Sequence, residues 1–279
     1  MAGYRRFSLR TLVIVMTALT LWIGYASFRA NRQREAVEAL QTQGAQVRYA
    51  HEYEFDAKHG PVPRGEVKNA SPPGPDWLRG VAGEHYFIRP LVLWHVKDPA
   101  PLADLSGVEE IYGLRLDDPG TQHLQGVPRL KVLMLNKMST VSDFGFLSDL
   151  PQLVHFSANY IAFDDEDAVH LKSLPQLGWL QLGETRISDA GLAELRHVPR
   201  LQFLVLNGTS VTDEGMSHIA ACSNLERLML ADTAITDESV KHLVRLTRLK
   251  HLSIGGTKIT KEGVATLRKA FPVTQIDAQ

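Results

Sequence analysis

The chain has 279 residues, of which 44% are hydrophobic and 22% charged, and its formal net charge is −1 at pH 7. This near-neutral balance argues against general nucleic-acid binding, which depends on a basic surface. The single cysteine, Cys222, excludes an intramolecular disulfide. It fits either a reducing compartment or a periplasmic protein without disulfides, and its position between a predicted helix and strand indicates a buried structural thiol.

The start of the chain predicts a membrane anchor. Residues 1–10 form a basic tail that carries Arg5, Arg6 and Arg10, and residues 11–28 then run without a charge. As a helix, this run would be about 27 Å long, close to a hydrocarbon core of about 30 Å. A cleaved signal peptide is the alternative, but its apolar region is usually shorter, and the YASFRA segment at 25–30 is a poor cleavage site. We therefore expect a transmembrane helix over residues 11–28.

Charge alone does not decide the orientation, because arginines also flank the far end of the uncharged run. We expect the N-terminus inside the cell, since the reverse would carry the arginines of the tail across the bilayer. The predicted location is the inner, cytoplasmic membrane, with a single pass and with the repeat domain outside the cytoplasm.

Residues 29–90 predict a juxtamembrane helix followed by a small α+β cap. Helix-forming residues continue from Arg29 to Gln43, and Gly44 is a natural helix end. The segment from Val47 to Phe55 alternates and is aromatic, which predicts a strand. Residues 56–76 are rich in proline and glycine and predict a flexible insertion, and a short helix is expected from Trp77.

Residues 91–279 predict a stack of repeats. Four leading leucines are 24 residues apart, at Leu177, Leu201, Leu225 and Leu249. In each Leu-x-x-Leu-x-Leu segment, alternation places two leucines on one face of a short strand, and later apolar residues three apart predict a helix. Burial within one copy cannot offset the entropy of ordering it, so the copies must stack. This predicts an α/β solenoid with a parallel concave sheet and convex helices.

Three further columns repeat with the same period. A threonine after each strand is expected to bond the turn backbone, and a Ser/Thr-Asp pair is expected to cap the next helix. A small residue inside each helix indicates close packing between copies. The columns are Thr185, Thr209, Thr233 and Thr257; Ser188-Asp189, Thr212-Asp213 and Thr236-Asp237; and Gly191, Gly215, Ser239 and Gly263.

The copies before Leu177 are less regular. We place their strand cores at Leu91/Leu93, Leu114/Leu116, Leu133/Leu135 and Phe156/Ala158. An acidic run at 164–167 stands where the other copies have the Ser/Thr-Asp cap. The first turn of a helix explains this run more simply than a calcium site does.

Side chains that alternate with the buried leucines should form columns on the concave surface. An apolar patch beside polar neighbours is a candidate binding site, in which tryptophan and arginine are favoured anchors. Two alternatives stay open: the side chains only pack on one another, or the cap covers them. The predicted columns are Val132, His155, Trp179, Phe203, Arg227 and His251; Met134, Ser157, Gln181, Val205, Met229 and Ser253; and Asn136, Asn159, Gly183, Asn207, Ala231 and Gly255. The predicted protein-binding residues are Trp179, Phe203, Val205, Arg227, Met229 and His251.

The sequence shows no phosphate-binding glycine loop, nucleophile elbow, zinc motif or spaced Ser/His/Asp set. His218 and His242 share one column, but without a carboxylate or thiol they predict solvated surface. We therefore predict no catalytic, cofactor or metal site, and a non-enzymatic binding or scaffolding module. The alternatives are an enzyme with a site in the 45–100 cap region and a soluble F-box-like adaptor.

The copies resemble the leucine-rich repeat family. Their x-x-T-x-I-T-D-x-G-L-x-x-L form is similar to the cysteine-containing subclass of F-box adaptors, with the threonine column in place of that subclass's cysteine. The segments RRFSLRTLVIVMTALTLWIGY, RQREAVEALQTQGAQVRY and WLRGVAGEHYF resemble membrane-anchored bacterial leucine-rich repeat proteins. The resemblance implies the fold and the anchor rather than an activity. No F-box-like segment precedes the repeats, which disfavours the soluble adaptor.

Overall fold

A computed structural model describes residues 9–49, 53–55, 63–66, 90–135 and 137–278. Within these ranges the strands form a ten-stranded sheet and a separate two-stranded sheet. The strands are β1 (Gln46–Tyr49), β2 (Tyr53–Phe55), β3 (Pro63–Glu66), β4 (Pro90–Trp94), β5 (Glu110–Leu114), β6 (Val132–Leu135), β7 (His155–Ser157), β8 (Trp179–Gln181), β9 (Phe203–Val205), β10 (Arg227–Met229), β11 (His251–Ser253) and β12 (Gln275–Asp277).

Strands β4 to β12 are parallel and follow one another in chain order. Each strand therefore lies beside the strand of the next copy, and the chain winds as a stack of coils. The central leucines of β8 to β11, Leu180, Leu204, Leu228 and Leu252, are all fully buried. The predicted stack with a parallel sheet is confirmed.

Except in the last coil, the convex side carries short helical segments instead of full helices. A turn of α-helix usually continues into or follows a 3₁₀ turn, which rises about 2.0 Å per residue against 1.5 Å and crosses the coil in fewer residues. The α-helices are α2 (Asp165–Ala168), α3 (Asp189–Leu192), α4 (Met216–Ile219), α5 (Val240–Leu243) and α6 (Lys261–Ala270). The 3₁₀ segments are Ala100–Asp104, Asp118–Gly126, Gly145–Asp149, Val169–Ser173, Ala193–His197 and Asp237–Ser239.

The predicted transmembrane and juxtamembrane helices form one continuous helix, α1 (Leu9–Thr42). It ends at Gly44, whose φ of +88° is a left-handed conformation that suits glycine, and the amides of Gly44 and Ala45 bond Gln41 and Leu40. Within α1, an apolar window with mean hydropathy 1.8 is only 6% buried, so it is not a core helix of the domain. By length and composition α1 is able to cross a membrane, and a signal sequence passes the same test.

The first coils depart from the predicted register. Ile111, not Leu114, lies between Leu93 and Leu133 in the sheet, so the predicted pairs Leu91/Leu93 and Leu114/Leu116 were wrong by two or three residues. The reason is a local irregularity: the pairing of β5 with β6 shifts between Tyr112 and Leu114, and Gly113 has a φ of +69°. Sequence spacing alone does not reveal such a bulge.

The strand predicted over Val47 to Phe55 is two strands. β1 pairs antiparallel with β4 at the end of the large sheet, whereas β2 pairs with β3 in the small one. Most of the predicted insertion at 56–76, and the predicted helix from Trp77, lie outside the described residues. The α+β cap therefore stays a prediction.

Aspartates bond successive coils to one another. The carboxylate of Asp189 accepts bonds from the amide nitrogen and the hydroxyl of Thr212 in the next coil, at 2.8 and 2.6 Å. Asp165, Asp213 and Asp237 do the same one coil apart. Ser188 and Thr236 cap helical segments as predicted. Thr212 does not: it accepts from the Glu214 amide in the turn before α4, whose N-cap is Gly215. The Asp bonds across coils were missed. The threonine column bonds within its own coil, as in Thr209 Oγ1 to the Leu206 carbonyl at 2.6 Å.

Candidate concave binding surface

Two columns of side chains run along the concave sheet in the predicted register. The first is Val132, His155, Trp179, Phe203, Arg227 and His251, and the second is Met134, Ser157, Gln181, Val205, Met229 and Ser253. Of the third predicted column, Asn136 lies outside the described residues. Asn159 and Asn207 hold turns of the next coil, because their Oδ1 atoms accept from the amides of Gly183 and Ala231 at 2.6 and 2.8 Å.

Trp179 is the most exposed large apolar side chain of these columns, at 41%. Its ring lies 5.4 Å from the His155 ring and 5.7 Å from the Phe203 ring, which it meets edge to face. Phe203, Val205 and Met229 are half-buried and continue the apolar surface over three coils. The sheet fixes the spacing of these anchors because β8, β9 and β10 are each paired on both sides.

A polar cluster borders Trp179. Gln181 Nε2 donates to His155 Nε2 at 3.1 Å, and Gln181 Oε1 accepts from Asn159 Nδ2 at 3.0 Å. Burial lowers the pKa of His155 to about 4, so the ring is neutral at pH 7 and acts as an acceptor. These groups satisfy one another and hold the indole in place.

The other end of the surface is charged. Arg227 is exposed, and its guanidinium has no side-chain partner among the residues that the structure describes. His251 Nε2 bonds Asp277 Oδ2 at 2.7 Å, and this bond lowers the pKa of Asp277. All six predicted binding residues thus lie on one face, with Arg227 free to meet an acceptor.

Sequence reasoning missed the N-terminal end of the same face. Trp94 and Tyr112 stack with ring centroids 5.7 Å apart, and Tyr112 donates to Glu110 Oε2 at 2.9 Å. Glu110 is 1% exposed, and burial raises its pKa to about 7. A signal was present: Leu105, Val108 and Ile111 repeat every three residues as Leu174, Leu177 and Leu180 do, which sets the observed register.

Other candidate sites carry little chemistry. Within the described ranges, no group of three or more His, Cys, Asp and Glu could hold a metal. The acidic run begins a helix: Asp164 caps α2 and accepts from the amides of Glu166 and Asp167. A cleft of about 390 Å³ lies beside the first coils, and its carboxylates Asp98 and Asp117 accept from backbone amides of their own turns.

No family model matches the chain, and no curated protein matches it. Among solved structures, internalin C2 from Listeria monocytogenes gives a TM-score of 0.55 at 17% identity, over 67% of this chain and 80% of that chain. Internalin F from the same organism gives 0.52 at 21% identity, over 66% of this chain and 52% of that chain. The fold is a leucine-rich repeat solenoid.

At these identities the likeness concerns the fold alone, and the match spans about half of the internalin F chain. A leucine-rich repeat protein from Leptospira interrogans also matches, with a TM-score of 0.41 at 18% identity over 63% of this chain and 56% of that one. The predicted solenoid is confirmed. The F-box-adaptor subclass, the membrane anchor and the binding residues stay predictions.

Proposed function

We propose that this chain is a membrane-anchored, non-enzymatic leucine-rich repeat protein that binds a protein partner on its concave face. The observation that supports this most is Trp179, which is 41% exposed and fixed between His155 and Phe203. An isolated exposed tryptophan would need no explanation, but this one continues into half-buried Val205 and Met229. Such contiguous apolar surface with polar neighbours marks interaction sites.

The chemistry of the surface fits a protein ligand. Trp179 and Phe203 offer a rigid apolar anchor. Because these side chains are already ordered, binding a partner would cost little of their conformational entropy. Arg227 and His251 flank that anchor and suit carboxylate or carbonyl acceptors at the edge of an interface. We expect an apolar or aromatic side chain of the partner over Trp179 and an acidic group near Arg227.

Alanine substitution of the anchor tests this surface. Once a partner has been captured from native membranes with the full chain, Trp179→Ala and Phe203→Ala should each weaken its binding about 30-fold, the effect of losing a hot spot. Tyr160→Asn is the matched control, because Tyr160 is 65% exposed but lies in a turn with φ +63°, which asparagine tolerates. Unchanged affinity in both anchor variants would remove this surface from consideration.

The membrane anchor is proposed from α1. Leu12, Ile14, Leu21 and Phe28 are among its exposed apolar side chains, with 54%, 68%, 69% and 60% of their surface accessible. Such a helix is stable in a bilayer and costly in water. We propose a single pass in the inner membrane with the solenoid outside the cytoplasm. Retention after alkaline carbonate extraction, and protease access to the solenoid from the outer side only, are expected; release by carbonate would favour the soluble adaptor.

A further inference from the structure

Exposed cations outnumber exposed anions on one flank of the solenoid, and exposed anions outnumber exposed cations on the other. We call the flank where the strands begin the strand-start rim, and the flank where they end the strand-end rim. Exposed cations on the strand-start rim include Arg129, Lys172, Arg200, Arg245, Arg248 and Lys269. Exposed anions on the strand-end rim include Asp117, Asp143, Glu184, Glu214, Asp232 and Glu238. Because these opposite charges nearly cancel, the net charge of the whole chain is only −1 and does not indicate the difference between the two rims.

Two acids on the strand-start rim pair with lysines, while the exposed Asp149 accepts, among the described residues, only from the Gln125 amide. Glu109 pairs with Lys131 at 2.5 Å, and Glu226 pairs with Lys250 at 2.6 Å in the corresponding positions of later coils. By contrast, Arg129, Lys172 and Arg245 have no side-chain partner in the part of the chain that the structure describes. Surplus positive charge therefore remains exposed along this rim.

Helix α1 fixes which rim faces the bilayer. Arg29, the first charged residue after the uncharged run, donates to Ser106 Oγ at 3.0 Å. Arg32 donates to the Asp104 carboxylate from Nε and Nη2, at 3.1 and 2.8 Å. About 21 Å further along the helix, Gln43 Oε1 accepts from the amides of Lys97 and Asp98 at 2.7 and 2.6 Å. Ser106 precedes β5 and lies on the strand-start rim, whereas Lys97 follows β4 on the other.

No spacer separates the uncharged run from the domain. Ala26 within that run is already fully buried, and Ala30 is 4% exposed. The three contacts of α1 lie along a single coil, so α1 runs parallel to that coil and the later coils stack at an angle to the helix. With α1 anchored as proposed, the strand-start rim of the first coil lies at the end of the uncharged run beside Arg29, and the parallel strands extend this rim along the stack.

We propose that the strand-start rim is a membrane-binding surface, whose cations contact anionic phospholipid headgroups of the bilayer that holds α1. This inference rests on the proposed anchor. In this arrangement the solenoid lies on the membrane through its strand-start rim. The strand-end rim points away from the bilayer, and the concave sheet faces parallel to the membrane plane. Each cation near such a surface strengthens binding about fivefold, and the effect falls off within a Debye length of about 8–10 Å.

The test uses the full chain in two kinds of nanodisc. Anionic discs contain phosphatidylcholine with about 30% phosphatidylglycerol, roughly the charge of a natural membrane, and neutral discs contain phosphatidylcholine alone. In a Cys222→Ser background, a spin label is placed at Thr247→Cys on the strand-start rim or at Ala190→Cys on the strand-end rim. Relaxation by a nickel-chelating lipid then reports the nearness of each site to the headgroups. We expect strong relaxation at residue 247 only, and only in the anionic discs.

Charge reversal supplies the matched variants. Arg129→Glu, Lys172→Glu and Arg245→Glu together should lower the equilibrium constant for binding of the rim to the headgroups by about 100-fold or more, because each of the three cations contributes about fivefold. The control is Lys137→Glu, Arg186→Glu and Lys258→Glu, which makes the same charge change on the strand-end rim and should leave the signal at residue 247 intact. Equal effects of the two triple variants, or equal relaxation in neutral discs, would overturn the proposal.

Carbonate extraction of vesicles made from the same lipids separates this inference from the anchor. A retained chain with no relaxation at residue 247 refutes the rim but keeps the anchor. A chain released by carbonate that still shows lipid-dependent relaxation supports the rim and refutes the anchor. A released chain without relaxation refutes both.

Discussion

Gly191, Gly215 and Gly263 face a carboxylate oxygen of the preceding coil at the point where a β-carbon would be. Ser239 takes the same position in its own coil, is fully buried and donates to Asp213. Burial alone would raise the pKa of Asp213, but the bonds from Ser239 and Thr236 outweigh it and keep that pKa below its usual value. The small residue in each coil therefore leaves room for the aspartate of the preceding coil. We call these aspartates, Asp165, Asp189, Asp213 and Asp237, with their bonds to the next coil the aspartate ladder.

Gly215→Ala tests this explanation. Gly215 directly precedes α4, so alanine gains little helix stability there, whereas its β-carbon would overlap Asp189 Oδ1 and lie 2.8 Å from Leu192 Cδ1. Overpacking costs about 1–3 kcal/mol, so we expect a loss of stability of about 1–3 kcal/mol in thermal or urea unfolding. Gly178→Ala is the control, since its nearest neighbour would be at an ordinary 3.6 Å. A Gly215→Ala protein as stable as the parent would contradict the ladder's role.

Glu110 predicts a pH effect on stability. Its folded pKa of about 7 lies above the reference value of 4.5, because burial outweighs the bond from Tyr112. Its contribution is thus fully present below pH 4.5 and is lost as the pH rises through 7. Glu110→Gln should stabilise the protein by about 1–2 kcal/mol at pH 8, after allowance for solvent screening, and should have little effect at pH 4.5.

The neighbouring Glu109→Gln is the control for this measurement. Glu109 pairs with Lys131 at the rim, where an exposed ion pair is worth at most about 1 kcal/mol. Thermal unfolding at both pH values should show no gain at pH 8 for this variant. If Glu110→Gln were equally neutral at both pH values, the carboxylate would not be desolvated as the structure indicates.

Sequence reasoning reached the small column but not its cause. The repeat period shows that Gly191, Gly215 and Gly263 are equivalent, and close packing was the correct inference. The partner carboxylate lies in the preceding coil, 26 residues from the amide of Gly191. A fixed period relates equivalent positions to each other and does not reveal which different positions meet.

At the scale of elements, α1 is one continuous helix whose second half docks on the first coil. Arg32→Ala removes its bidentate bond to Asp104, so hydrogen exchange should become faster over residues 29–42. The expected loss of docking free energy is about 1 kcal/mol, because the pair is partly exposed. Arg34→Ala is the matched control: Arg34 only approaches Glu38 within the same helix, at 3.8 Å. Equal exchange rates in both variants would show that the ion pair does not hold the helix.

Strands from β7 to β11 were predictable because their spacing is constant and each central leucine has an equivalent. The first coils were misplaced, because the prediction followed the leucine pairs and not the Leu105, Val108 and Ile111 spacing, and because a bulge at Gly113 shifts the pairing. The continuity of α1 was also missed. The uncharged and charged halves of α1 differ in composition. Both halves are nevertheless rich in helix-forming residues, so one helix continues through them.

For the whole molecule, the concave surface followed from the sequence and its surroundings did not. Alternation along each strand identified Trp179, Phe203 and Arg227 as neighbours. The two ends of the face, with the buried Glu110 at one and Asp277 at the other, could be assigned only from the observed strand pairing. The charge separation between the flanks also emerges only when equivalent turns are brought side by side.

The aspartate ladder has a consequence for how such a molecule can change its length. Asp189, Asp213 and Asp237 each present the same acceptors to a Ser/Thr amide and hydroxyl one coil later. Excising residues 201–224 by recombination would therefore bring Asp189 against Thr236 with every bond type retained. Gene duplications and deletions in steps of one coil would leave the joints interchangeable, and would alter only the reach of the molecule and the side chains it displays.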